Sequence, residues 1–271
     1  MSAAQDRAAF RAFEHGRWQD AVETYHAAWS ELTSQTITSV LDSLAPGRFL
    51  DVASGPGYLA AAATAKGARA VALDFSPAML AKGARTYPDL TFVLGDAERL
   101  PFADGAFDAV GMNFGILHLG NPDAAIAEAF RVLAVGGRFA FTAWADPAEA
   151  LGFNLVLAAV ATHGAPVAIP QGPDFFRYSR PEQCTAALGA AGFTDAAVTT
   201  VDLRWTPPTV EAVFPSFLHG TARTGALLRR QSPAAQRAIA DAIAQAAQRF
   251  VTTDGRVVIP MPAVLARGTK P

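Results

Sequence analysis

Between residues 49 and 143 the chain carries five short apolar runs: Phe49–Ala53, Val71–Leu73 closed by Asp74, Leu90–Leu94, Phe107–Met112 and Arg138–Ala143. Turns and stretches with helical spacing separate them. Runs this short, apolar throughout rather than alternating, suit strands covered on both faces. Strands and helices joined by short connections specify a parallel, doubly wound α/β sheet. Ser76-Pro77 and Asn121-Pro122 each supply a capping side chain followed by a proline at the first helical position. Gly136-Gly137 is read as the stop of the helix that carries Ile126, Phe130 and Leu133.

The flanks follow another rhythm. Upstream, Trp18, Val22, Tyr25 and Trp29, then Ile37, Val40, Leu41 and Leu44, recur at helical spacing, with Pro46-Gly47 ending the run. After Trp144 come an apolar helical stretch and a Gly/Pro-rich segment ending in Phe175-Phe176-Arg177-Tyr178. Ser179 and Glu182 form a capping-box pattern around Pro181, opening a helix that ends near Gly192. Val198 to Trp205 reads as a strand. Residues 209–250 read as a helical insertion with Ile239, Ile243, Ala246 and Phe250 on one face. Val257 to Leu265 reads as a terminal strand, which Pro260 and Pro262 should confine to an edge or a bulge.

Composition narrows the class. A length of 271 residues, 51% hydrophobic, with only 17% charged, suits one large domain with insertions and argues against disorder. A net charge of −2 lacks the basic footprint of a nucleic-acid binder. Cys184 is the only cysteine, which excludes an internal disulfide and argues against a cysteine zinc cage; no metal site is expected. The stretch from Met1 to Arg7 leads into polar amphipathic sequence rather than a signal core. Asn154, His163 and Pro166 interrupt the most apolar later segment, Leu151–Ile169, which therefore reads as a buried or covering helix and not a membrane span. A cytoplasmic location is the expectation.

The chemistry concentrates where the first strands end. Asp51-Val-Ala-Ser-Gly55-Pro-Gly57-Tyr58 places glycines between a strand and a helix, where a ligand can approach the backbone and meet exposed N–H groups. Taken alone, such a loop also fits a tight turn that binds nothing. Three successive strands, however, end in an acid: Asp51, Asp74 and Asp96. They fall at the carboxyl edge, where open α/β sheets bind ligands. Asp51 would oppose a pyrophosphate but attract an ammonium group, and Asp74 can accept hydrogen bonds from a ribose diol.

With these motifs the sequence resembles the class I S-adenosylmethionine-dependent methyltransferases, especially the branch of quinone-biosynthesis methyltransferases and related small-molecule enzymes. The resemblance spans about residues 35–145 and, more loosely, the end of the chain. It is carried by Asp51–Gly57, Ala72–Leu80, Gly95–Phe102, Phe107–Val110 and Arg131–Gly137 in order, with Ala53 standing where many relatives have glycine. It implies a Rossmann-like sheet of seven strands, the first six parallel and the last antiparallel. It also implies S-adenosyl-L-methionine as cofactor. Asp51 and the backbone at Ala53, Ser54 and Gly55 would hold the methionine part, with Gly57 and Tyr58 also in the cofactor site. Asp74 would bind the ribose, with Phe75, Ser76 and Met79 toward the adenine. Gly95, Asp96, Ala97 and Glu98 would line the adenine edge, and Asn113 and Phe114 would lie near the sulfonium.

For the acceptor the evidence is exclusionary. Asn113-Phe-Gly-Ile-Leu-His118 is not the Asn/Asp-Pro-Pro-aromatic motif of nitrogen methylation, so a small-molecule oxygen or carbon is favoured. His118 is the candidate general base, although a histidine packed at the sheet edge would look the same. Tyr25, Trp29, Trp144, Phe175, Phe176 and Tyr178 are candidates for the substrate wall, with core packing as the alternative. Segments 1–33, 145–178 and 206–255 all reach the carboxyl edge and are expected to form a helical lid. Two other functions remain open at this level. One is an NAD-dependent oxidoreductase using Gly55-x-Gly57-x-x-Ala60, opposed by Asp51 and by the lack of a Tyr-x-x-x-Lys pair. The other is a cofactor-binding protein without turnover.

Overall fold

The computed structural model describes residues 3–44 and 47–271. Pro46, expected to end the third helix, and the first two residues of the N-terminal segment lie outside the described residues. Helices α1 (Ala3–Asp20), α2 (Val22–Ser34) and α3 (Ile37–Ser43) come first. The core then runs β1 (Arg48–Val52), α4 (Tyr58–Ala65), β2 (Arg69–Asp74), α5 (Pro77–Thr86), β3 (Thr91–Leu94), β4 (Phe107–Met112), α6 (Pro122–Val132) and β5 (Leu133–Trp144). Next are α7 (Leu151–His163), α8 (Pro181–Ala190), β6 (Thr194–Val201) and β7 (Arg204–Trp205). The chain closes with α9 (Val213–Gly220), α10 (Arg223–Arg229), α11 (Pro233–Ala247), β8 (Ile259–Pro260) and β9 (Ala263–Thr269).

The main sheet has seven strands in the order β3-β2-β1-β4-β5-β9-β6. β1 to β5 pair in parallel, and β9 pairs antiparallel with both β5 and β6, so six strands share one direction. Side chains from alternate positions enter opposite layers. Leu50, Val52, Val110, Met112, Phe139 and Phe141 pack into one apolar cluster, while Phe49, Ala109, Ala140 and Leu265 join α3 and α4 on the other face. Each such buried Phe or Leu contributes about 1.5–3 kcal/mol. The sheet is therefore a stiff base for whatever its loops carry.

Four local expectations are corrected. The last strand is central rather than at an edge, because the main-sheet strand begins only at Ala263, beyond both prolines. Pro260 instead lies in β8, which pairs with β7 as a separate two-stranded ribbon. Strand six covers Thr194–Val201, and Arg204–Trp205 leaves the sheet to form that ribbon. The capping box is absent: Arg180 occupies the cap position, and the Ser179 hydroxyl donates to the Phe176 carbonyl at 2.7 Å. Finally, α6 ends at Val132, ahead of the glycines, because Leu133 is already extended and pairs with Phe107. Among the described residues no helix is long and apolar enough to cross a membrane.

Candidate cofactor and acceptor site

Parallel strands deliver their C-terminal ends to one edge, and there β1, β2, β4 and the loop after β3 open into a cleft. Its empty space is about 1360 Å³, open solvent at the mouth included. Asp51, one residue before the end of β1, is 1% exposed. Its Oδ2 accepts the Ala60 N–H at 3.0 Å, while Oδ1 is buried with no partner among the described residues. A buried carboxylate oxygen left unpaired is costly, so this atom marks a place for a donor or a cation. Burial pushes the Asp51 carboxyl up to about 8.

Asp74 closes β2 and organises the glycine loop. Its Oδ2 accepts the Gly55 N–H and its Oδ1 the Ser76 N–H, both at 2.8 Å. Each oxygen keeps a second lone pair for a ligand. Burial raises this carboxyl to about 6, and the backbone hydrogen bonds hold it below Asp51. Between the two acids the chain turns through left-handed residues, Ala53 at φ 53°, Gly55 at φ 54° and Gly57 at φ 85°. A Cβ on Gly55 would meet nothing closer than the Met79 sulfur at 4.0 Å, so the space beside it belongs to the cleft. Gly57 and Ser76 lie outside the lining. Gly57 backs onto Leu90 and Phe92, and Ser76 caps α5 by accepting the Met79 N–H.

The third acid is engaged differently. Asp96 accepts the Glu98 N–H on Oδ1, and Arg11 of α1 clamps both carboxylates, reaching Asp96 and meeting Glu98 at 2.6 Å. Glu98 also accepts the Gly120 and Asn121 N–H groups at 2.8 and 2.9 Å. Asn113 lines the cleft with its amide already occupied. Its Oδ1 accepts from Thr36 and Thr142 at 2.7 Å each, and its Nδ2 donates to the Thr33 carbonyl.

Of the candidate wall residues, Tyr25, Trp29, Trp144 and Phe175 reach the cleft. Phe176 and Tyr178 do not. Tyr178 is buried against Phe141 with its hydroxyl donating to Asp123, and Phe176 packs on Phe153. Phe114 lies against Trp144 with ring centroids 4.2 Å apart, and both line the cleft of the acids. His118 lines the same cleft from the turn after β4, and its Nδ1 lies 3.1 Å from Glu14.

Arg11, Glu14, Thr33 and Arg223 were not legible as site residues. For Glu14 a signal existed: Phe10, Glu14 and Trp18 share one face of α1, and a lone acid on such a face needs a partner. Among the described residues no group of three His, Cys, Asp or Glu side chains is placed to hold a metal ion.

Residues 50–141 match the family model described as "Methyltransferase domain". A demethylmenaquinone methyltransferase of Mycolicibacterium vanbaalenii is 36% identical over 159 residues, covering 55% of this chain and 68% of that protein. The chain belongs to the class I S-adenosylmethionine-dependent methyltransferases. A relative of the same name from Beutenbergia cavernae is 47% identical over 126 residues, 43% of this chain and 52% of that protein. The chain thus spans about half the length of the first curated relatives it matches. A solved SAM-dependent methyltransferase of Thermotoga maritima shares the fold, with a TM-score of 0.56 at 17% identity over 95% of this chain and all of that one. The donor set fits the cofactor of this family, since the unpartnered Asp51 oxygen suits an ammonium group and Asp74 a diol.

Proposed function

We propose that this methyltransferase-family chain moves the methyl group of S-adenosylmethionine to a flat, quinone-type aromatic small molecule, at a ring carbon or a hydroxyl oxygen. The observation that carries the reading is the buried, unpartnered Asp51 oxygen in a cleft shared with Asp74 and faced by aromatic rings. The names of the two relatives above support the acceptor class.

When bound, the cofactor supplies an electrophilic methyl group on a sulfonium. Asp51 would hold its ammonium group and Asp74 its ribose hydroxyls, with Phe75 and Met79 beside the adenine. Ala97 and the Asp96–Glu98 pair would border the adenine edge, where Arg11 already neutralises both acids. Trp29, Phe114, Trp144 and Phe175 would wall the space for a planar acceptor, and such a site excludes water from the displacement. His118 would take the acceptor's hydroxyl proton. Segments 1–33, 145–178 and 206–255 act as the lid of a single domain. Each contributes to the cleft, through Arg11 to Thr33, Phe153 and Phe175, and Gly220 to Thr224 respectively.

The test is calorimetry with S-adenosylhomocysteine and with NADH, followed by a screen of phenols, quinone precursors, acids and amines read as S-adenosylhomocysteine release. Binding of the first ligand alone, with turnover on hydroxylated rings, is the expected result. Binding of NADH, or turnover confined to amines, overturns the proposal.

A further inference from the structure

Glu14 lies mid-way along α1 and is 0% exposed. Its Oε1 accepts from Arg223 Nε at 3.0 Å, while its Oε2 receives the Trp18 indole N–H and meets His118 Nδ1, both at 3.1 Å. Each nitrogen of Arg223 is engaged in turn. Its terminal nitrogens donate to the Pro173 and Leu117 carbonyls at 2.7 and 2.9 Å, and its guanidinium lies over Phe10, 4.3 Å from the ring centre.

A latch between Glu14 and Arg223 would use one carboxylate oxygen. The other is given to the imidazole. Trp18 stands edge-on to the His118 ring at 4.8 Å and Phe175 at 5.9 Å, so the ring is held from three sides while lining the cleft of Asp51 and Asp74. Trp18 and Arg223 can only donate, and an Arg-paired carboxylate can only accept. Nδ1 must then carry the hydrogen, and in the neutral ring the lone pair falls on Nε2.

We propose that Glu14 is a positioning residue that fixes His118 in the tautomer whose Nε2 takes the hydroxyl proton of the acceptor. The proposal rests on the functional reading above. In the step, the acceptor O–H bond breaks, its proton forms an N–H bond at Nε2, and its electron pair stays on oxygen. The imidazolium charge then lies beside the Glu14 carboxylate, which offsets it. The freed pair makes the new bond to the methyl carbon, at oxygen directly or at a ring carbon by conjugation, while the sulfur keeps the pair of the broken S–C bond. At carbon, the ring proton leaves afterwards to water.

Two measurements test this on the full chain. Histidine-selective ¹⁵N spectra of the wild type with S-adenosylhomocysteine should show His118 Nδ1 protonated and Nε2 bare in the neutral ring. Kinetics with an acceptor from the screen should show Glu14→Gln lowering kcat by about tenfold or more, since its amide can donate to Nδ1 and reverse the tautomer. KM and S-adenosylhomocysteine affinity should stay within about twofold. His118→Gln should lower kcat by about 100-fold, and the double variant should fall no further. A wild-type proton on Nε2, an unchanged kcat in Glu14→Gln, or multiplying losses in the double variant would each overturn the proposal. Should Glu14→Gln not fold, because Arg223 loses its partner, the wild-type tautomer and His118→Gln decide, since the latter keeps the Glu14–Arg223 pair. If S-adenosylhomocysteine binds but no hydroxylated ring is methylated, the functional reading fails, while the tautomer still judges where Glu14 places the proton.

Discussion

The two halves of the cleft are built by different means. In the Asp51–Asp74 cradle, carboxylates are held by backbone N–H groups close in the chain: Asp74 by Ser76 two residues on and by Gly55 nineteen back, Asp51 by Ala60 nine on. On the acceptor side, Glu14 meets His118 across 104 residues and Arg223 across 209. The cradle is a property of a local strand–loop–helix unit, to which Arg11 of α1 adds a distant clamp on Asp96 and Glu98. The acceptor side exists only when the flanking helices have docked. The difference predicts that damage to the loop removes binding outright, whereas damage to the cover changes selectivity, turnover and protection.

The largest effect should come from Gly55→Val. It adds a branched side chain at a left-handed position facing the cleft, and binding of S-adenosylhomocysteine should be lost while the fold survives. Asp74→Ala should weaken binding at least about tenfold, since a charge-assisted hydrogen bond is worth about 1.5–3 kcal/mol. Unchanged affinity in calorimetry would refute the ribose role.

A pH test separates the halves further. Asp51 is pushed up to about 8 and Asp74 to about 6, both by burial. Folded values above the unfolded one mean that their contribution to stability is full in acid and is lost as pH rises through about 6 and then about 8. A cationic ligand needs Asp51 ionised, so binding at neutral pH should release a proton, and affinity should climb with pH up to about 8. Calorimetry in buffers of different ionisation enthalpy checks the sign. Proton uptake, or none, contradicts the ammonium role. Asp51→Asn should stabilise the ligand-free chain near pH 8 and abolish binding.

The cover should show itself in protection. Residues 164–170 have no regular structure and none of them is buried, with Ala165, Pro166 and Ala168 exposed, so limited proteolysis should cut there first. S-adenosylhomocysteine should slow the cut if cofactor and cover are coupled; identical digestion patterns would break that link. The smallest effect belongs to Ala53→Gly, which should raise stability by up to about 1 kcal/mol by relieving a left-handed alanine. A loss of that size would show that Ala53 packing outweighs its backbone strain.

What sequence could and could not reveal follows the same division. β1 to β5, the acids at their ends and the glycine loop were legible because each is set within a few residues by apolar runs, caps and turns. The capping box failed because Ser179 closes a short turn over 177–179, which leaves the cap position to Arg180. β9 was misplaced to an edge because its prolines fall just outside the sheet, a boundary of two residues. Tyr178 and Phe176 shared a segment with Phe175, yet only Phe175 faces the cleft, since an aromatic run does not disclose which ring turns inward. Arg11 and Glu14 share α1, but Asp96, Glu98, His118 and Arg223 reach them only through tertiary docking, so no spacing rule links those pairs.

The central claim is that the Asp51–Asp74 cradle presents S-adenosylmethionine to a hydroxylated aromatic ring. It is tested most directly by incubating the chain with methyl-labelled S-adenosylmethionine and a hydroquinone, then following label and S-adenosylhomocysteine together. The account predicts label on the ring or its oxygen, S-adenosylhomocysteine in equal amount, and neither with Asp74→Ala. Tight cofactor binding with no label transferred to any hydroxylated ring would contradict it.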